Sequence, residues 1–207
     1  PDALMALLSR EVLANHPDST ILFDVKCSQM LPEEITRLGG LPLMYKTGHS
    51  LLKAKMKELH APFAGEMSGH LFFADEFFGF DDGLYASGRI MRLLAESTLP
   101  FSALADQLPA FVSTPEIRVE CADSEKFTVI DEMVKTFSAQ HETITIDGAR
   151  VLFGDGWGLI RASNTQPVLV LRFEARTRER LAEIIAIFRR EMDKFPAIVY
   201  DPAELAV

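Results

Sequence analysis

The sequence predicts an α/β unit built on a mixed sheet, followed by a smaller α+β domain. Three observations carry this expectation. Over the first half of the chain, short apolar runs alternate with amphipathic helical patterns, the rhythm of an α/β unit. The stretch FSALADQLPAFVSTPEIRV then breaks the rhythm, with Pro109 and Pro115 bracketing a segment that suits neither a helix nor a central strand. Beyond it the order changes to one strand, one helix, a series of strands and a closing helix. That seam is read as a domain boundary, taken between residues 112 and 113.

The elements follow in order. The chain opens directly on PDALMALL, a helix with Leu4, Leu7, Leu8 and Val12 on one face. It has no initiator Met and no lead-in strand, and reads as a piece cut from something longer. After the turn residues Pro17, Asp18 and Ser19 comes TILFDV, a short buried strand. PEEITRLGG suits a short helix that starts on Pro32 and stops at Gly39 and Gly40. PLMYKT is a second strand. SLLKAKMKELH is a helix with Ser50 as its N-cap and Leu51, Leu52, Met56 and Leu59 as its apolar face. APFAGEM and HLFFADE read as strands. DDGLYASGRIMRLLAES is a helix whose first turn carries Asp81 and Asp82, the end that favours negative charge.

Past the seam, EIRVECA alternates as a strand. SEKFTVIDEMVKTFSAQ is a helix with Phe127, Ile130, Val134 and Phe137 in period. ITIDGARVLF is a hairpin turning at Asp147-Gly148, and GWGLIRA and PVLVLRFEA are strands. Thr177 caps a last helix with Leu181, Ile184, Ile185, Phe188 and Met192 inward. The domain order is read as β-α-β-β-β-α.

Composition narrows the function classes. The net charge of −9 argues against a general nucleic-acid binder, which needs a basic face for the phosphate backbone. Cys27 and Cys121 are far apart and form no CxxC, so a disulfide framework or a cysteine zinc site is not expected. No apolar run reaches the ~20 residues that span a bilayer. A cytoplasmic chain with no membrane partner is the expectation.

Four polar stretches fall where strands end, the edge at which open α/β sheets bind ligands. DVK places Lys26 directly after a buried strand. KTGHS sets Thr47, Gly48 and His49 between a strand and a helix N-terminus, a place that favours anions. GEMSGH holds Glu66, Ser68 and His70. On an extended segment Glu66 and Ser68 share a side, where a carboxylate and a hydroxyl can grip vicinal sugar hydroxyls. RASNTQP offers the planar fork of Arg161 with Ser163, Asn164 and Thr165, a composition suited to phosphate. Each stretch also has a plainer reading as a polar turn or a solvated lysine. A metal reading with His49, Glu66 and His70 as ligands lacks helical HExxH spacing. There is no GxSxG, no GxGxxG, no GxxxxGK[ST] and no Asp cluster for Mg²⁺. The residues alone describe a two-part α/β protein that binds a phosphorylated, hydroxyl-rich small molecule.

FDVKCS, KTGHS, GEMSGH, FGFDDG, STPE and GWGLIRASNTQPVLVLRFEA, in that order, resemble the C-terminal half of the α-D-phosphohexomutases. The resemblance is to the bacterial phosphomannomutase/phosphoglucomutase branch. It implies that residues 1–112 form domain 3 of a four-domain protein built around a cleft, N-terminally truncated and of the phosphoglucomutase type. Residues 113–207 would be domain 4, with a hinge near Ser113, Thr114 and Pro115. It also implies reversible transfer between the 1- and 6-positions of a hexose phosphate, through a phosphoserine and a bound bisphosphate.

By the same resemblance, Glu66 and Ser68 hold sugar hydroxyls and His70 faces the phosphosugar. Thr47 and Gly48 belong to the substrate site, and Lys26 and His49 line the cleft near the reacting groups. Arg161, Ser163, Asn164 and Thr165 hold the phosphate that is not being transferred. Phosphoglucosamine mutases carry GEQSGH and RPSGTEP, so Met67 and RASNTQP favour glucose and mannose phosphates. The implied cofactors are Mg²⁺ and glucose 1,6-bisphosphate. The serine loop (TASHNP) and metal loop (DGDGDR) of the family are absent, and belong to domains 1 and 2. The expectation is therefore no catalytic serine or metal ligand in this chain and no activity by the chain alone, with a monomeric full-length protein. A stand-alone phosphosugar-binding module is the alternative from another class, and a metal-dependent hydrolase using His49, Glu66 and His70 is a third.

Overall fold

The computed structural model describes residues 1–205. The chain divides into two compact units, Pro1–Ala110 and Phe111–Val207.

In the first unit, helix α1 (Asp2–Asn15) buries Met5, Leu7, Leu8, Val12 and Leu13. Asp18 takes a left-handed φ of 58° and turns the chain into β1 (Thr20–Asp24). Helix α2 (Met30–Arg37) begins two residues before the expected Pro32, because the Ser28 hydroxyl accepts the Met30 N–H at 3.1 Å. Pro32 then sits in the first turn, where its missing N–H costs nothing. Strand β2 (Leu41–Tyr45), helix α3 (His49–Leu59), strands β3 (Phe63–Gly65) and β4 (Leu71–Phe73), and helices α4 (Gly83–Glu96) and α5 (Phe101–Ala105) complete the unit. Asp82 caps α4, accepting the N–H groups of Leu84 and Tyr85 at 2.9 Å.

The sheet runs β2-β1-β3-β4. Strand β1 is parallel to both neighbours, and β4 returns antiparallel to β3. On one face Leu52 and Met56 of α3 pack on Leu22, Ala64 and Phe72. On the other, a Cβ at Gly65 would meet Met5 Cε at 2.7 Å, so α1 lies directly on the sheet there. The expected α3 face is narrower than read, since Leu51 and Leu59 are exposed at 44% and 39%. Leu51 sits about 100° around the helix from Leu52, and Leu59 ends the helix.

The second unit holds β5 (Val112–Ser113), β6 (Ile117–Cys121), α6 (Lys126–Ser138), β7 (Thr143–Ile144), β8 (Ala149–Leu152), β9 (Gly156–Ala162), β10 (Val168–Ala175), α7 (Arg178–Met192), β11 (Ile198–Val199) and a 3₁₀ turn at Pro202–Leu205. Four strands separate the two helices, one more than β-α-β-β-β-α, because the Asp147-Gly148 hairpin contributes two. Sheet order is β11-β6-β10-β9-β8-β7, with β5 also on β10. Thr114 exchanges bonds with Phe173: its N–H donates at 2.9 Å and its Oγ1 accepts at 3.0 Å. Ser113 and Thr114 are thus part of the sheet of the second unit. Helices α6 and α7 cover one face, where Phe137 stacks on Phe188 at 4.5 Å between ring centroids. Thr177 caps α7 by accepting the Arg180 N–H. On α6 the inward line is Lys126, Val129, Ile130, Met133 and Phe137. Phe127, expected inward, is 55% exposed because it lies one position off that line.

Candidate functional site

Because β1, β2 and β3 run parallel, their C-terminal ends share one edge, the edge where such sheets bind ligands. Three of the four polar stretches leave from it. Asp24 closes β1 and is fully buried. Its Oδ1 accepts the Met67 N–H and the Cys27 S–H, each at 3.1 Å. Its Oδ2 accepts the Thr47 hydroxyl at 3.1 Å, and Lys26 Nζ lies 3.7 Å away. Sequence reading passed over Asp24. It ends an otherwise apolar run, and a buried carboxylate beside Lys26 in FDVK was the available signal.

Glu66 is 3% exposed, and its Oε1 accepts the Gly48 N–H at 2.7 Å. Gly48 itself is the N-cap of α3, with φ 138°, so the expected Ser50 cap is displaced by two residues. Only glycine adopts that φ without strain. GEMSGH is the hairpin loop between β3 and β4. The Gly69 N–H donates to the Glu66 carbonyl at 2.9 Å, closing a tight turn. Strand geometry therefore stops at Gly65. The side shared by Glu66 and Ser68 on an extended segment is not carried through the turn, where Glu66 is buried and Ser68 exposed. His70 Nδ1 lies 2.6 Å from Asp81 Oδ2, which fixes the ring, and the His49 ring lies 6.0 Å from it.

This edge collects a buried ammonium, two imidazoles, an exposed hydroxyl and the positive end of an 11-residue helix. Such a set suits an anionic, hydroxyl-bearing ligand. His49, Glu66 and His70 do not form a ligand cluster, and among the described residues no group of three His, Cys, Asp or Glu could hold a metal ion.

The fourth stretch lies in the second unit, as the hairpin loop between β9 and β10. Arg161 is 5% exposed and its Nε donates to Asp147 Oδ2 at 2.9 Å. The Ser163 hydroxyl accepts the N–H groups of Thr165 and Gln166 at 3.3 and 3.2 Å. Asn164 and Thr165 are exposed at the tip. Sequence reading missed the frame around them. Lys126 is 4% exposed and donates from Nζ to the Gln166 carbonyl at 2.9 Å, and Arg118 donates to the Gln166 side chain. Gly148, with φ 80°, presses the hairpin onto β9 so closely that a Cβ there would fall 2.2 Å from the Ile160 carbonyl oxygen. That approach brings Asp147 to Arg161.

Comparison with known sequences accords with this architecture. The family model for the phosphoglucomutase/phosphomannomutase alpha/beta/alpha domain III matches residues 1–111. The chain belongs to the phosphoglucomutase/phosphomannomutase family. A second model, for the C-terminal domain of the same family, matches residues 116–191. A phosphomannomutase/phosphoglucomutase of Pseudomonas aeruginosa is 45% identical over 193 residues, covering 93% of this chain and 42% of its own length. A phosphoglucomutase of Neisseria gonorrhoeae is 44% identical over 203 residues, covering 97% and 44%. The crystal structure of a phosphoglucomutase/phosphomannomutase family protein from Burkholderia thailandensis superposes with a TM-score of 0.87 at 46% identity. It covers 97% of this chain and 43% of that one. The chain spans less than half the length of the curated relatives it matches. No helix among the described residues is long and apolar enough to cross a membrane.

Proposed function

We propose that this chain supplies sugar recognition and distal-phosphate binding to a phosphomannomutase/phosphoglucomutase that interconverts hexose 1-phosphate and hexose 6-phosphate. The observation that carries the reading is the edge of the first unit, where Lys26, Thr47, Gly48, His49, Glu66, Ser68 and His70 are gathered from three loops. Family membership of both units supports it.

In this reading Ser68 and Glu66 hold the sugar hydroxyls. Glu66 Oε1 is taken by Gly48, so Oε2 is the oxygen that accepts a hydrogen bond from a hydroxyl. Asp81 accepts from His70 Nδ1–H and directs the opposite ring nitrogen to the phosphosugar. Lys26 and His49 add charge and a donor beside the reacting groups. Arg161, steadied by Asp147, offers its planar fork to the phosphate that stays in place, with Ser163, Asn164 and Thr165 around it. These groups position and stabilise charge, which is most of what phosphoryl transfer asks of a protein.

The phosphoserine, and Mg²⁺ that would supply countercharge to the moving phosphoryl group, belong to the rest of the full-length protein. Glucose 1,6-bisphosphate is the intermediate this cycle would form. The described residues hold no cluster fit for Mg²⁺, and no role given to them depends on it.

Titrating glucose 1-phosphate into the 207-residue chain tests the reading. Binding is expected to be weak, near the millimolar range, and further weakened by Glu66→Ala and by Arg161→Ala. Affinity unchanged in both variants would remove the assignment. Turnover by the chain alone, given hexose phosphate, Mg²⁺ and bisphosphate, would refute its dependence on further domains.

A further inference from the structure

We infer that Asp24 is the positioning residue of the sugar site, holding the loops after β1, β2 and β3 in one register before any ligand arrives. The inference rests on the reading of this edge as the phosphosugar site. Asp24 follows Ile21, Leu22 and Phe23 on the central strand and, like them, is at most 1% exposed. A buried carboxylate is costly unless its lone pairs are filled. Here they are filled from three directions. Cys27 and Lys26 come from its own loop, the Thr47 hydroxyl from 23 residues on, and the Met67 N–H from 43 residues on.

The Gly48 N–H to Glu66 bond joins the same two distant loops. The links therefore close a ring: Asp24 to Thr47, Thr47 to its neighbour Gly48, Gly48 to Glu66, Glu66 to its neighbour Met67, and Met67 back to Asp24. In such a ring each bond is made easier by the others. The Gly48 and Met67 N–H groups are spent inward, while Ser68 and His49 are exposed and His70 is partly so. Asp24 touches no ligand in this arrangement. It acts through the loops, by making the site preformed so that binding does not have to order it.

Amide exchange and affinity, measured on the same 207-residue chain, separate this role from a general contribution to stability. Asp24→Ala is expected to speed exchange at the Met67 and Gly48 amides by about tenfold or more and to weaken glucose 1-phosphate binding by about tenfold. Asp24→Asn keeps one acceptor oxygen for Met67 and is expected to restore both to within about threefold. Ile35→Ala, a core change in α2, serves as the control. It is expected to lower the melting temperature while leaving both amides and the affinity unchanged. Wild-type exchange and affinity in Asp24→Ala, or equal loosening in Ile35→Ala, overturns the inference. Should Asp24→Ala fail to fold, Thr47→Val opens the same ring at one link, and unchanged Gly48 exchange there overturns it equally. If the wild-type chain shows no glucose 1-phosphate binding, the functional reading falls. The two amides then decide the role of Asp24 by themselves.

Discussion

The hairpin loops 66–70 and 163–167 are built on opposite principles. Both join adjacent antiparallel strands. The first is framed by buried carboxylates: Asp24 and Glu66 accept backbone N–H groups from Met67 and Gly48. The second is framed by cations and a hydroxyl. Lys126 and Arg118 hold Gln166, Ser163 gathers two N–H groups, and Arg161 stands at the loop's start. A frame of acceptors absorbs backbone donors and turns hydroxyl and imidazole side chains outward. The cations of the second frame are each paired, Lys126 with Asp123, Arg118 with Glu116 and Arg161 with Asp147, so that frame supplies charge-assisted donors fixed in place. Outward hydroxyl and imidazole groups suit polar neutral partners, and fixed cationic donors suit an anion.

The sharpest way to break the contrast is to pull the cationic loop from its support. Gly148→Ala places a methyl 2.2 Å from the Ile160 oxygen and 2.7 Å from the Arg161 Cα, at a φ of 80°. Backbone cannot retreat as a flexible side chain can. The substitution should destabilise the second unit by about 3 kcal/mol and shift Asp147 away from Arg161. Urea unfolding followed through Trp157, which is buried in this unit, measures it. A loss under about 1 kcal/mol would show that the hairpin is not pinned there.

A smaller cut leaves the fold alone and loosens only the tip. Ser163→Ala removes the hydroxyl that accepts from Thr165 and Gln166. The freed N–H groups belong to exposed residues and can turn to water, so the stability loss should be about 1 kcal/mol. Exchange at those two amides should rise while Met67 and Gly48 stay unchanged. Parallel change in both loops would mean that the frames are not independent.

Much of this was legible in the chain, for physical reasons that also mark where legibility ended. Thr177 could be read as a helix cap because an N-cap is a local bond, settled within three residues, whereas Asp82, read as a charge in the first turn of α4, proves to be that helix's cap. Strand β1 could be read because a parallel strand buried on both faces is continuously apolar. Ser50 was misread as the α3 cap because the group that settles the matter, Glu66, lies 18 residues away. Glu66 and Ser68 were placed on one side by strand periodicity, which holds only until the turn closed by Gly69. Strands β5 and β11, two residues each, exist only through partners on β10 and β6. Asp24, Asp147 and Lys126 follow the same rule. Their meaning lies in contacts made across 14 to 43 residues, which a local pattern such as FDVK does not specify.

The gentlest probe of the contrast is acid. The first unit is also stapled by carboxylates away from the site. Glu34 lies between Arg37 and Arg10, each at 2.7 Å, and Asp75 meets Arg89 at 2.8 Å. The Arg37 hydrogen bond, opposed by burial and helped by Arg10, holds Glu34 below its ordinary 4.5. For Asp75, burial pushes upward, but the Arg89 and Glu76 hydrogen bonds and the Arg89 charge outweigh it and hold the group below 3.8. Both acids thus bind protons more weakly when folded than when unfolded. Their contribution is complete above about pH 4.5 and is lost as pH falls through the folded values. In the second unit Glu179 is also lowered, by its own N–H and Thr177, but it sits in the exposed first turn of α7, where solvent screens it. Below pH 4.5, then, the amides of β1 and β3 should lose protection before those of β9 and β10, and Asp75→Asn should narrow the gap. Equal loss in both sheets would confine the carboxylate frame to the site and deny it to the unit that carries it.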